Sequence, residues 1–98
     1  MMEFDVKYVR DGVIRERFTV PACEAYLIGV YRDGIPYQPD REAIYNKLPY
    51  HYRKAFYRSN MWKGVNGDGN DVFRADMWNA KHNKPLGTVF AKAVERAE

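Results

Sequence analysis

Hydrophobic and polar positions from Glu3 to Val20 alternate around Arg10-Asp11-Gly12. Period-two patterning on either side of an Asp-Gly pair predicts two antiparallel strands joined by a tight turn. A two-residue loop at Asp11-Gly12 would set Phe4, Val6 and Tyr8 opposite Thr19, Arg17 and Arg15, mixing apolar and charged faces. A three-residue loop with Gly12 as a left-handed bulge sets Phe4 opposite Phe18 and Tyr8 opposite Ile14, and pairs Asp5 with Arg17 on the other face. The second register is the expectation, although it leaves Glu16 opposite Val6 on the apolar face.

Past the hairpin the pattern turns helical. Thr19-Val20-Pro21-Ala22-Cys23-Glu24 has the proline and acidic residue of a first turn, and Arg32-Asp33-Gly34-Ile35-Pro36 reads as a helix end with Gly34 in the left-handed position. A competing hairpin would run from Tyr26 to Tyr31 and turn through Arg32-Asp33-Gly34, so 22–32 is either helix or strand. Asp40 reads as an N-cap with Glu42 in the following turn. Pro49 either kinks that helix or opens a new one running to about Ser59. Lys63 to Asp71 is rich in Gly, Asn and Asp and reads as a loop; Asp71 to Trp78 fits a strand or a short helix. Leu86, Val89, Phe90, Ala93, Val94 and Ala97 recur at spacings of three and four, predicting a last helix from Lys84-Pro85 that packs on the hairpin. The expected fold is α+β. An N-terminal antiparallel hairpin, with room for a third strand, packs against three to four short helices, and residues 1–98 form one small domain.

Composition narrows the class without naming a partner. Sixteen Lys and Arg against 13 Asp and Glu give a net charge of +3. One Cys cannot form an intramolecular disulfide, and neither a leader pattern nor a long apolar run is visible. A cytoplasmic protein without membrane contact is expected.

Charge becomes informative when it is resolved along the chain. From Ala43 to Gly67 there is no acidic residue, while Lys47, Arg53, Lys54, Arg58 and Lys63 are all cationic. That segment carries +5, so subtraction from the total of +3 leaves the remainder at −2. Tyr45, Tyr50, Tyr52, Phe56, Tyr57 and Trp62 interleave with these cations. On a single helix, Lys47, His51, Lys54 and Arg58 form one basic stripe, while Leu48, Tyr52, Ala55 and Phe56 turn inward. Cations among flat rings suit nucleic acid, through phosphate neutralisation and base stacking. They suit an acidic protein surface equally, because Tyr, Trp and Arg dominate interface hot spots. The plainer alternative is a solvated basic face above aromatics that fill a Leu-poor core. The predicted binding surface comprises Lys47, Tyr50, His51, Arg53, Lys54, Tyr57, Arg58, Trp62 and Lys63, with an acidic protein or nucleic acid as partner and no small-molecule substrate.

Catalytic and metal constellations are weak. Asn66-Gly67-Asp68-Gly69-Asn70-Asp71 alternates oxygen ligands, but an EF-hand needs Gly where Asp71 stands and Glu where Met77 stands. Cys23, His51 and His82 lack zinc spacing, and Cys23 lies in an apolar run where a buried thiol is the ordinary reading. Neither a metal nor a cofactor is expected. A small enzyme using His51 or His82 is the minor alternative. In size, aromatic richness and lack of catalytic motifs the chain is similar in general character to phage-encoded inhibitors of host machinery, including anti-defence proteins. That likeness implies a binding protein that inhibits a nucleic-acid-handling partner.

Overall fold

The computed structural model describes residues 2–24, 37–65 and 71–95. The chain is mostly β. Strands β1 (Met2–Arg10) and β2 (Val13–Glu24) are followed by the three-residue β3 (Tyr37–Pro39), and then by helices α1 (Arg41–Lys47) and α2 (Tyr50–Arg58). Strands β4 (Met61–Val65), β5 (Asp71–Trp78) and β6 (Pro85–Glu95) complete the order. All pairings are antiparallel, in the spatial order β3-β2-β1-β6-β5-β4. The long strands curl into a nearly closed, barrel-like sheet. The expected hairpin covered by three to four helices is therefore replaced, among the described residues, by a six-stranded sheet with two helices.

The first hairpin corrects the expected register in an instructive way. Asp11 (φ 55°) and Gly12 (φ 74°) both adopt left-handed conformations, as a two-residue type I′ turn requires. Val9 stands opposite Ile14 and Tyr8 opposite Glu16, so Arg15 is an extra residue in β2. This bulge shifts the remaining pairs by one. Val6 meets Phe18 and Phe4 meets Val20, and the apolar face is restored without lengthening the turn. Glu16 is exposed near the turn, opposite Tyr8 rather than Val6.

The predicted C-terminal helix is a strand, and so is the segment read as a helix opening at Thr19–Glu24. That segment continues β2, where Ala22, Cys23 and Glu24 pair with β3; both readings of 25–36, helix and hairpin, lie outside the described residues. The C-terminal segment is β6, lying between β1 and β5. Its three-and-four spacing misleads because Phe90 and Val94, partly buried on the face away from the helices, interrupt the alternation set by Val89, Ala91 and Ala93 on the core side. Val89 and Ala91 point to the core, while Thr88, Phe90 and Lys92 share the opposite face. β-Branched Thr88, Val89 and Val94 favour this extended state. Asp71–Trp78, ambiguous in sequence, is β5, and Met61–Val65 occupies part of the expected loop as β4.

The helical expectation holds at the centre of the chain. The Asp40 side chain accepts a hydrogen bond from the Ala43 amide (3.2 Å), capping α1. Leu48-Pro49 ends that helix, and Pro49 immediately precedes α2. Both helices lie on one face of the sheet. Ile44 and Leu48, with Ala55 and Phe56 of α2, join Phe4, Val6, Tyr8, Val20, Phe73, Ala75, Met77, Val89 and Ala91 in the core. Alanine matters at β6: Ala93 lies opposite Phe4 and Ala91 opposite Phe73. These small residues leave room for the Phe4 and Phe73 rings to meet edge-on at 5.5 Å across the intervening strand.

Candidate functional site: the exposed face of α2

At 3.6 residues per turn, Tyr57, Tyr50, Lys54, Arg58 and His51 fall within an arc of about 120° on α2. All five are exposed, and none is acidic. Tyr50 is 77% and Tyr57 79% accessible, whereas Phe56, on the opposite side of the same helix, is 1% accessible. The two tyrosines are two turns apart, about 10 Å along the axis, with Lys54 between them. Tyr57 also borders a groove of about 500 Å³ between α1 and α2, lined by Arg41, Glu42, Tyr45, Asn46, Phe56 and Tyr57. The Tyr45 and Tyr57 rings meet edge-on at 6.5 Å on its wall.

Other members of the predicted surface take different places. Lys47 is separated from the stripe by the Leu48-Pro49 break; its Nζ donates to the Thr19 carbonyl (2.9 Å) and lies 6.0 Å from the Phe18 ring centre. Arg53 is half-buried and works for the fold. Its Nε donates to the Leu48 carbonyl (3.1 Å) and a terminal nitrogen donates to that of Asn46 (2.9 Å), satisfying the open end of α1. Its guanidinium also lies over the rings of Tyr45 and Tyr50. Trp62 and Lys63 stand on β4, in register with Arg74 and Phe73. The structure therefore groups Tyr50, His51, Lys54, Tyr57 and Arg58 on one helix face and leaves Lys47, Arg53, Trp62 and Lys63 off it.

Arg41 ties the helices to each other. A terminal nitrogen donates to the carbonyls of Phe56 (3.2 Å) and Ser59 (2.9 Å), and the guanidinium lies 5.2 Å from the Phe56 ring centre. Its burial lowers its pKa from the ordinary arginine value. The α2 face is thus presented by a fixed support.

The polar-basic segment Trp78–Lys84 lies beside α2, a placement not legible in the sequence. Arg58 donates to the Trp78 carbonyl (3.2 Å), which brings the β5–β6 turn beside α2. Asn79 Oδ1 accepts from the amides of Asn83 (2.9 Å) and Lys84 (3.1 Å), and His82 adopts φ 59°. Trp78, 36% accessible, has the His82 ring tilted against it at 5.2 Å. Lys81, His82 and Lys84 are exposed. The available signal was a second acid-free stretch, Met77 to Val94, carrying Lys81, Lys84 and Lys92.

The candidate reactive groups are dispersed. The Cys23 thiol lies 3.9 Å from the Pro39 carbonyl oxygen, and burial, reinforced by the charge of Asp40, raises its pKa. That shift disfavours the nucleophilic thiolate. His51 is on α2 and His82 in the β5–β6 turn, and both are exposed. Among the described residues, no three His, Cys, Asp or Glu side chains are grouped to hold a metal ion, and no helix is long and apolar enough to cross a membrane. Residues 66–70 of the Asn- and Asp-rich segment lie outside the described residues. Compared with known protein families, curated proteins and solved structures, the chain matches none.

Proposed function

We propose that the chain is a small non-enzymatic binding protein that docks an acidic protein surface on the outward face of α2. The observation carrying this reading is the exposure of Tyr50 and Tyr57, two large rings flanking Lys54 on an arc without a carboxylate. Tyr provides large contact area at small entropic cost, and Lys54, Arg58 and His51 supply polar recognition around it. The groove beside Tyr57 favours a protein over nucleic acid. Its mixed aromatic and polar walls suit a protruding side chain, whereas the Glu42 carboxylate among them repels a phosphate backbone. An inhibitor of a nucleic-acid-handling protein would set this basic face on an acidic region of its target, outside the cationic groove that holds nucleic acid.

Affinity capture from cell lysate, followed by binding measurements on the recovered component, tests the reading. One stoichiometric protein is expected. Tyr57→Ala should weaken it by about 30-fold or more, as a hot spot does, and Lys54→Ala by less than about fivefold. Arg53→Ala should lower thermal stability instead, by about 1–2 kcal/mol through loss of the carbonyl contacts on α1. Retention of the partner by Tyr50→Ala, Tyr57→Ala and the double charge reversal Lys54→Glu/Arg58→Glu would move the interface elsewhere. Nuclease-sensitive capture that Lys54→Glu/Arg58→Glu abolishes would identify nucleic acid as the ligand of this face.

A further inference from the structure

We infer that the sheet face opposite the helices is a binding site for single-stranded nucleic acid, separate from the α2 surface. Strand register sets Arg17, Lys7, Phe90 and Arg74 in one row across β2, β1, β6 and β5, and Trp62 of β4 occupies the next register position. With strands about 4.8 Å apart, the row from Arg17 to the Trp62 position spans about 19 Å. That length accommodates a short run of nucleotides.

The charge arrangement indicates the ligand. Lys7 and Arg17 are both exposed and stand directly opposite each other, a like-charge placement that disfavours strand pairing. Neighbouring positions are better matched. Asp5 stands opposite Lys92, and Arg74 binds Asp76 at 3.0 Å while Thr88 Oγ donates to the same carboxylate. The local cationic excess therefore centres on Lys7 and Arg17. Phe90 lies between Lys7 and Arg74, whose charged groups are 5.4 and 5.9 Å from its ring centre, and the ring is only partly buried. A linear polyanion with flat bases satisfies this layout: its phosphates relieve the repulsion at Lys7 and Arg17, and a base stacks at Phe90. A globular acidic protein needs no ring set in line with the cations.

Fluorescence anisotropy with a fluorescein-labelled, mixed-sequence 20-nucleotide DNA, as a single strand and as a duplex, tests the site in the full chain. The single strand should bind more tightly than the duplex. About three phosphate contacts predict an affinity loss of roughly 20-fold between 50 and 200 mM salt. Lys7→Gln/Arg17→Gln should reduce single-strand affinity at least 10-fold with an unchanged or raised melting temperature, since it removes the like-charge pair without creating another. Lys54→Glu/Arg58→Glu on α2 should change it less than threefold, which separates this site from the proposed protein-docking face. Phe90→Leu should erase the preference for single strand. The inference is overturned by no binding at 50 mM salt, by equal affinity for duplex, or by a loss that follows only the α2 reversal; acidic-protein binding on this face would appear as displacement of the DNA by polyglutamate at equal charge.

Discussion

At the scale of single residues, the end of the core under Tyr8 is the least forgiving place in the molecule. Tyr8, 1% accessible, donates its hydroxyl to the Leu86 carbonyl (2.6 Å), and its ring packs at 5.2 Å against Tyr52. Arg10 donates to the Tyr52 hydroxyl and lies over its ring. Gly87 closes this corner at φ 110°, where a Cβ would stand 2.5 Å from the Val9 carbonyl oxygen and 2.6 Å from Tyr8 Cε1. Gly12 also has positive φ, but a Cβ there meets nothing within 4 Å. Gly12→Ala should therefore cost about 1 kcal/mol, the backbone penalty alone, and Gly87→Ala about 3 kcal/mol or more, as backbone and carbonyl both resist. Chemical denaturation of the two variants checks the difference.

Tyr8 also makes a pH prediction. Burial, reinforced by the neighbouring Tyr52, pushes its pKa up to about 12 from an ordinary 10.0. The folded state holds the phenolic proton more tightly than the unfolded state, so this stabilising contribution is complete below pH 10 and is lost as pH rises toward 12. An ultraviolet titration of tyrosinate should show one tyrosine ionising well above the exposed ones, and Tyr8→Phe should remove that late step.

At the scale of elements, Arg15 decides the geometry of the first hairpin. Without it, the two-residue turn and the pairs Tyr8–Glu16, Val6–Phe18 and Phe4–Val20 are already in step. Deletion of Arg15 should leave a folded protein, with stability within about 1–2 kcal/mol of the parent, because the removed residue occupies the bulge and no core position. Loss of cooperative unfolding in the deletion variant would show that the bulge is needed for sheet curvature.

The same residue shows why register was difficult to read from sequence. Asp11-Gly12 correctly marked a turn, but either a longer turn or a bulge can repair the apolar face, and only long-range pairing selects between them. Asp40 and Pro49 were legible because capping and helix interruption are local effects. The C-terminal strand was not, since its alternation is blurred by Phe90 and Val94 on the face away from the helices. In the basic segment, exposure of Tyr50 and Tyr57 and burial of Ala55 and Phe56 follow from helical spacing, whereas the structural role of Arg53 depends on where α1 ends.

At the scale of the whole molecule, charge is organised in space more strongly than along the chain. The two acid-free stretches, Ala43–Gly67 and Met77–Val94, meet where Arg58 binds the Trp78 carbonyl. The α2 face and the Lys7–Arg17–Phe90 face lie on opposite sides of the sheet. Ligands bound at the two proposed faces would therefore share no contact residue.

The position of β6 between β1 and β5 has a further consequence, for the path by which this shape is reached. The β1–β2, β4–β5 and β5–β6 ladders each form between segments close in sequence, so β6 pairs with β5 through its own turn and the β4–β5–β6 unit meets the first hairpin only along the β1–β6 ladder. Until that seam closes, β1 and β6 each expose an unpaired edge that a second chain could occupy. It joins positions from Val9 and Thr88 to Met2 and Glu95, at opposite ends of the chain, and closing so long a loop slows folding. The seam that unites the architecture is thus also the one whose late closure leaves it open to intermolecular exchange.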